Sequence, residues 1–149
     1  MANRAKAALV PELCCHDVLA SLKFYTKSLG FRVLYERPEK GFYYLERQGS
    51  EIMIEQLKDS SWVAAPAEKP LGRGISFQIM TTDLASLYQQ CKTLGAPIFQ
   101  DWEEAWYRAD DQYLGQVQFL VQDPDGYLLR FAENLGVRPD PPKTGRTVT

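Results

Sequence analysis

The sequence predicts an α+β fold: two paired βαβββ modules forming a curved sheet with a concave cavity. Three observations carry the prediction. Two segments repeat, "HDVLASLKFYTKSLGF" over residues 16–31 and "TTDLASLYQQCKTLGA" over 81–96, each running from an Asp through Leu-Ala-Ser to Leu-Gly. Each repeat follows one apolar extended segment and precedes extended segments separated by turn signals. A hydrophobic content of 45% and a charged content of 24% over 149 residues suit one compact domain with a real core.

The elements follow in order. "AALVPELCC" is the first strand candidate and "GISFQIM" its counterpart in the second half. Asp17 and Asp83 stand where N-caps accept hydrogen bonds from the first helical turn, and Gly30 and Gly95 stand where a left-handed residue closes the last. Between them Val18, Leu22, Tyr25 and Leu29, and then Leu84, Leu87, Tyr88, Cys91 and Leu94, recur with helical period. After the first helix come "FRVLYER", a turn at "PEKG", "FYYLER", a turn at "QGS" and "EIMIEQL". After the second come "PIFQDW", an irregular acidic stretch, "GQVQFLVQ", a turn at "DPDG" and "YLLRFAE". The domain therefore spans 9–135 after an N-terminal extension at 1–8, with modules at about 9–57 and 73–135 and a polar, Pro-bearing linker over 58–72. The Pro-rich segment 136–149 lacks an apolar period and reads as a flexible tail.

Composition narrows the function. A net charge of −2, with scattered Lys and Arg, argues against a nucleic-acid surface. Three cysteines, two of them adjacent at Cys14 and Cys15 and so pointing to opposite faces of a strand, argue for a reducing compartment. No apolar run suits a signal peptide or a membrane span, so a cytoplasmic protein is expected.

Candidate ligand-contacting residues fall in two stretches. In "GFYYLER", Phe42 and Tyr44 share one face of a strand. In "QDWEEAWYRADDQYLG", Trp102, Trp106, Tyr107 and Tyr113 interleave with Asp101, Glu103, Glu104, Asp110 and Asp111. Rings offer stacking faces and carboxylates offer countercharge, a combination suited to a flat or cationic organic ligand. The plainer alternative is an edge strand whose rings cover the core and whose acids are solvated. No nucleophile–base arrangement and no Gly-rich phosphate loop stands out; Cys14 and Cys15 beside His16 read as small buried hydrophobes.

The paired modules, the phrase "DVLASLKFYTKSLGF" and the ending "VQDPDGYLLRFAENL" resemble the vicinal-oxygen-chelate (glyoxalase/bleomycin resistance/dioxygenase) superfamily, and within it the bleomycin-resistance proteins most. That resemblance implies a homodimer with cavities at the subunit interface. It also implies metal ligands on the first and fourth strands of each half. Transferred residue by residue, those positions hold Val10, Glu55, Gly74 or Ile75, and Arg130. One carboxylate and a guanidinium do not hold a divalent ion, because Arg has no lone pair to donate. The expectation is thus no metal and no cofactor, with Glu55 and Arg130 facing the cavity as an ion pair. The resemblance also assigns Phe42 as one ring of a sandwich around the drug's planar tail. The second ring falls at Leu114, beside Tyr113, so Tyr113, Trp102 or Trp106 would have to substitute. The expected function is a small-molecule, antibiotic-binding protein of the bleomycin-resistance type that acts by sequestration, its ligand cationic and aromatic. An enzyme of the same superfamily, a lyase, isomerase or dioxygenase-like protein with an atypical metal site, is the alternative. Two or more His or Glu residues at the four ligand positions would favour it, and only Glu55 qualifies.

Overall fold

The structure is a computed structural model that describes residues 5–149; half of the proposed N-terminal extension, residues 1–4, lies outside the described residues. It divides into two compact units, one comprising 1–74 with 123–127 and the other 75–122 with 128–149.

The first unit contains β1 (Glu12–Cys15), α1 (Val18–Lys23), β2 (Arg32–Arg37), β3 (Phe42–Arg47) and β4 (Ser50–Gln56). Its sheet runs β1-β4-β3-β2, with β1 parallel to β4 and the other pairs antiparallel. Alternation makes this pairing bury one face: Leu13, Cys15, Tyr43, Leu45, Ile52 and Ile54 turn inward toward Val18, Tyr25 and Leu29. Each large side chain buried this way stabilises the unit by about 1.5–3 kcal/mol. Asp17 caps α1 as expected, accepting from the Ala20 N–H at 3.2 Å. The predicted single helix is not uniform, because Phe24–Ser28 widens into a π-helical turn in which the Leu29 N–H reaches the Phe24 carbonyl. The "PEKG" turn is a short 3-10 segment closed by Gly41 at φ 63°.

The second unit contains β5 (Ser76–Met80), α2 (Leu84–Thr93), β6 (Ile98–Ala109), β7 (Gln112–Gln122), β8 (Leu128–Arg138) and β9 (Arg146–Val148). Its sheet runs β5-β8-β7-β6-β9. Leu84, Leu87 and Cys91 of α2 are buried with Ile79, Phe119, Val121, Leu129 and Phe131. Leu94, expected on that apolar stripe, is 55% exposed.

Three expectations are corrected. Asp83 makes no side-chain bond to its helix; instead Glu133 of β8 accepts the Leu84 N–H at 3.0 Å, while the Thr81 hydroxyl donates to Asp83. The acidic stretch is not irregular: β6 runs through it and pairs with β7 from Glu103↔Gln118 to Ala109↔Gln112, turning at Asp110 with φ 56°. Dense charge hid the strand because its outer face is solvated. The segment read as a flexible tail continues β8 to Arg138 and then forms β9, which pairs in parallel with β6 at Ala105↔Arg146 through Tyr107↔Val148. Cys14, Cys15 and Cys91 are free thiols, and no helix among the described residues is long and apolar enough to cross a membrane.

Candidate functional site

The first unit gathers a group of aromatic and acidic side chains on the face of its sheet opposite Tyr43 and Leu45. The register places Phe42 directly across from Glu55, Tyr44 across from Met53, and Cys14 across from Glu55 on the other side. Tyr35 of β2 stacks on Tyr44 at 4.8 Å between centroids and lies 6.0 Å from Phe42. Phe42 and Tyr44 are 5% and 4% exposed, so neighbouring side chains cover both rings. The Arg37 guanidinium is part of that cover, 3.9 Å above the Phe42 centroid.

Beside the rings is a cavity of about 260 Å³ lined by Glu12, Glu55, Lys58, Ser60, Ser61 and Trp62. Trp62 is 97% exposed at this cavity. Desolvation pushes the Glu12 carboxyl above its usual range, the adjacent Glu55 carboxylate adds to the shift, and the Arg37 charge opposes it. The Cys14 thiol donates to Glu55 at 3.6 Å, and desolvation followed by that carboxylate pushes it up as well. A thiol held in this way is a poor nucleophile.

The turn at 123–127 supports this unit from below. Asp123 accepts from the N–H groups of Asp125, Gly126 and Tyr127 at 2.9–3.0 Å and from the Tyr25 hydroxyl at 2.8 Å. Asp125, 1% exposed, accepts from the His16 N–H at 2.9 Å and the Ser21 hydroxyl at 3.2 Å. The Tyr127 hydroxyl donates to the Cys14 carbonyl at 3.1 Å and so fixes β1 under the cavity. His16 contributes its backbone N–H, not its imidazole.

The second unit carries the other candidates. Trp102 packs on Tyr88 of α2 at 5.4 Å, and Trp106 lies over Gly115, where an added Cβ would meet its ring at 2.5 Å. Trp106 is buried by that packing, whereas Trp102 is 37% exposed. Asp111 is exposed in the β6–β7 turn, Tyr113 is half-buried next to it, and Leu114 is 46% exposed between Tyr107 and Val137. Arg130 sits between Gln78 and Leu120, with its guanidinium 6.0 Å from the Tyr107 ring. Its Nε is buried without a hydrogen-bond partner.

Nearby, the buried Gln118 amide donates to Tyr107 at 2.6 Å and to Glu103 at 2.8 Å and accepts from Gln116 at 2.6 Å. Glu103 in turn holds Arg146 through two bonds of 2.8 and 3.1 Å, which keep its carboxyl below the usual range. Sequence reasoning missed Arg37, Glu12, Gln118 and Arg146. Strand parity with Glu55 was a usable signal for Glu12; Arg146 had none, because β9 pairs non-locally.

The side chains at the four metal positions do not fit an ion. Glu55 is their one carboxylate, Arg130 repels a cation, and no three His, Cys, Asp or Glu side chains among the described residues form a metal-holding group.

A duplicated βαβββ unit, each with a sheet covered on one face by its own helix, defines a class of α+β protein. This chain belongs to the Glyoxalase/Bleomycin resistance protein/Dioxygenase superfamily, whose model matches residues 8–131. It is 29% identical over 124 residues to a bleomycin resistance protein of Klebsiella pneumoniae, covering 83% of this chain and 90% of that one. To a bleomycin resistance protein of Geobacillus stearothermophilus it is 26% identical over 134 residues, covering 85% and 96%. The crystal structure of a glyoxalase/bleomycin resistance protein/dioxygenase from Alicyclobacillus acidocaldarius shares the fold with a TM-score of 0.62 at 19% identity, covering 89% and 95%.

Proposed function

We propose that the protein binds a small cationic, aromatic antibiotic of the bleomycin type and acts by sequestering it unchanged. The observation that carries this reading is the grouping of Phe42, Tyr44 and Tyr35 beside the Glu12–Glu55 carboxyl pair on one face of the first sheet. Rings supply stacking area, and the paired carboxyls gain from any cation that separates their charges. The bleomycin resistance proteins among its relatives support the same ligand class.

In this reading Asp111, Tyr113, Leu114, Arg130, Trp102 and Trp106 form a separate set of proposed ligand contacts within the second unit. The working form is a homodimer in the cytoplasm, without a resident metal. Calorimetry of metal-analysed protein against copper-free bleomycin tests the reading. Micromolar or tighter binding is expected, weakened about tenfold by Phe42→Ala, with the drug recovered at unchanged mass. Absence of binding overturns the ligand; a changed drug mass overturns sequestration and favours an enzyme with Glu55 as base. Sedimentation of the same sample reads the oligomeric state.

A further inference from the structure

The ring assigned to ligand stacking is already occupied by the chain itself. Arg37 ends β2, Phe42 begins β3, and the register sets them directly opposite one another. The Arg37 guanidinium lies 3.9 Å from the Phe42 centroid, within the range of a cation–π contact. Arg37 is itself exposed, while the ring under it is 5% exposed. Its charge also reaches the Glu12 carboxyl beside the cavity. A flat, positively charged group thus rests on an aromatic face next to an acid.

We propose that Arg37 is a displaceable internal occupant of the Phe42 face, a built-in competitor standing where a planar organic cation would stack. The inference rests on the reading of this face as the ligand site. An incoming amidinium, guanidinium or cationic heteroaryl replaces Arg37 like for like, because it offers the ring and Glu12 what Arg37 gave them. A neutral flat molecule that displaces Arg37 brings no positive charge to the Glu12 and Glu55 carboxyls. Arg37 therefore weakens every ligand that must displace it by a similar factor, and the preference for cations comes from the carboxyls of Glu12 and Glu55. It moves readily, since an exposed arginine on a ring is held by a contact of modest strength.

Two probes of similar shape test this: 4′,6-diamidino-2-phenylindole, a planar dication, and neutral 2-phenylindole, each titrated by fluorescence anisotropy. Wild type is expected to bind the dication at least tenfold more tightly than the neutral probe. Arg37→Ala is expected to tighten both by three- to tenfold, and Arg37→Lys to stay near wild type for the dication. Dication affinity unchanged or weakened in Arg37→Ala overturns the proposal, as does failure of the dication to bind either protein. A second measurement does not depend on any variant. The Arg37 δ-proton resonances, shifted upfield by the Phe42 ring in free protein, are expected to move toward random-coil positions on saturation with the dication. No upfield shift at the start, or none lost, also overturns it. Calorimetry with bleomycin separates the two ideas. Drug binding without an Arg37 effect sinks only this inference, and an Arg37 effect on the dication without drug binding sinks only the proposed ligand.

Discussion

The two units start from one repeated phrase and secure their helices by different means. In the first, Asp17 caps α1 from within the phrase itself, 3.2 Å from the Ala20 N–H. In the second, the matching Asp83 is turned to Thr81, and the helix N-terminus is met by Glu133 from a strand 49 residues later. The first unit has a four-stranded sheet and a buried carboxylate turn; the second has longer strands and a fifth strand at its edge. Similar local sequence thus marks where each helix starts, and the partner that completes its first turn is decided by the surrounding fold.

Urea denaturation of five variants tests this contrast. Asp125→Ala should have the largest effect, about 3 kcal/mol, because it strips the buried Ser21 hydroxyl and the His16 N–H of their acceptor; a loss under about 1 kcal/mol would make the turn dispensable. Gly115→Ala should cost about 2 kcal/mol, as its Cβ would enter the space of the Trp106 ring. Asp17→Ala and Glu133→Ala should each cost about 1 kcal/mol, and a Glu133→Ala value near zero would show that the distant cap is incidental.

The smallest effect belongs to Arg146→Ala, at most about 0.5 kcal/mol and fading with salt, since its pair with Glu103 is solvent-exposed. Glu103 and, in the first unit, Glu46 have carboxyls held below the ordinary 4.5, the former chiefly by Arg146 and the latter by the Gly49 N–H. Both contributions are therefore full above that pH and lost as pH falls through the depressed values. Carbon-detected NMR titration should show both midpoints below 4.5, with that of Glu103 rising in Arg146→Ala.

The fold was largely legible because its signals are local. Asp17 and Gly30 bracket one helix, and the alternation in "FYYLER" puts Leu45 inside and Phe42 on the other face. What stayed hidden depends on residues far apart in the chain. Glu133 as a cap, Gln118 as the hub of a polar network and Arg146 on Glu103 become visible only once strands are paired. The acid-rich run of β6 gave the wrong signal because a solvated strand face has the composition of a loop. At the site, Phe42 and Glu55 were found as cross-strand neighbours. Composition alone drew in Trp106 and gave no sign that its ring lies over Gly115.

The turn at 123–127 has a consequence for ancestry. Translated alone, a fragment ending at Gly74 would leave the His16 amide and the Ser21 and Tyr25 hydroxyls without the acceptors that Asp123 and Asp125 provide. Whatever duplication gave rise to the repeat, its first descendant now relies on codons lying deep within the second. A recombination event that moved the first half-gene alone would leave those three donors without these acceptors.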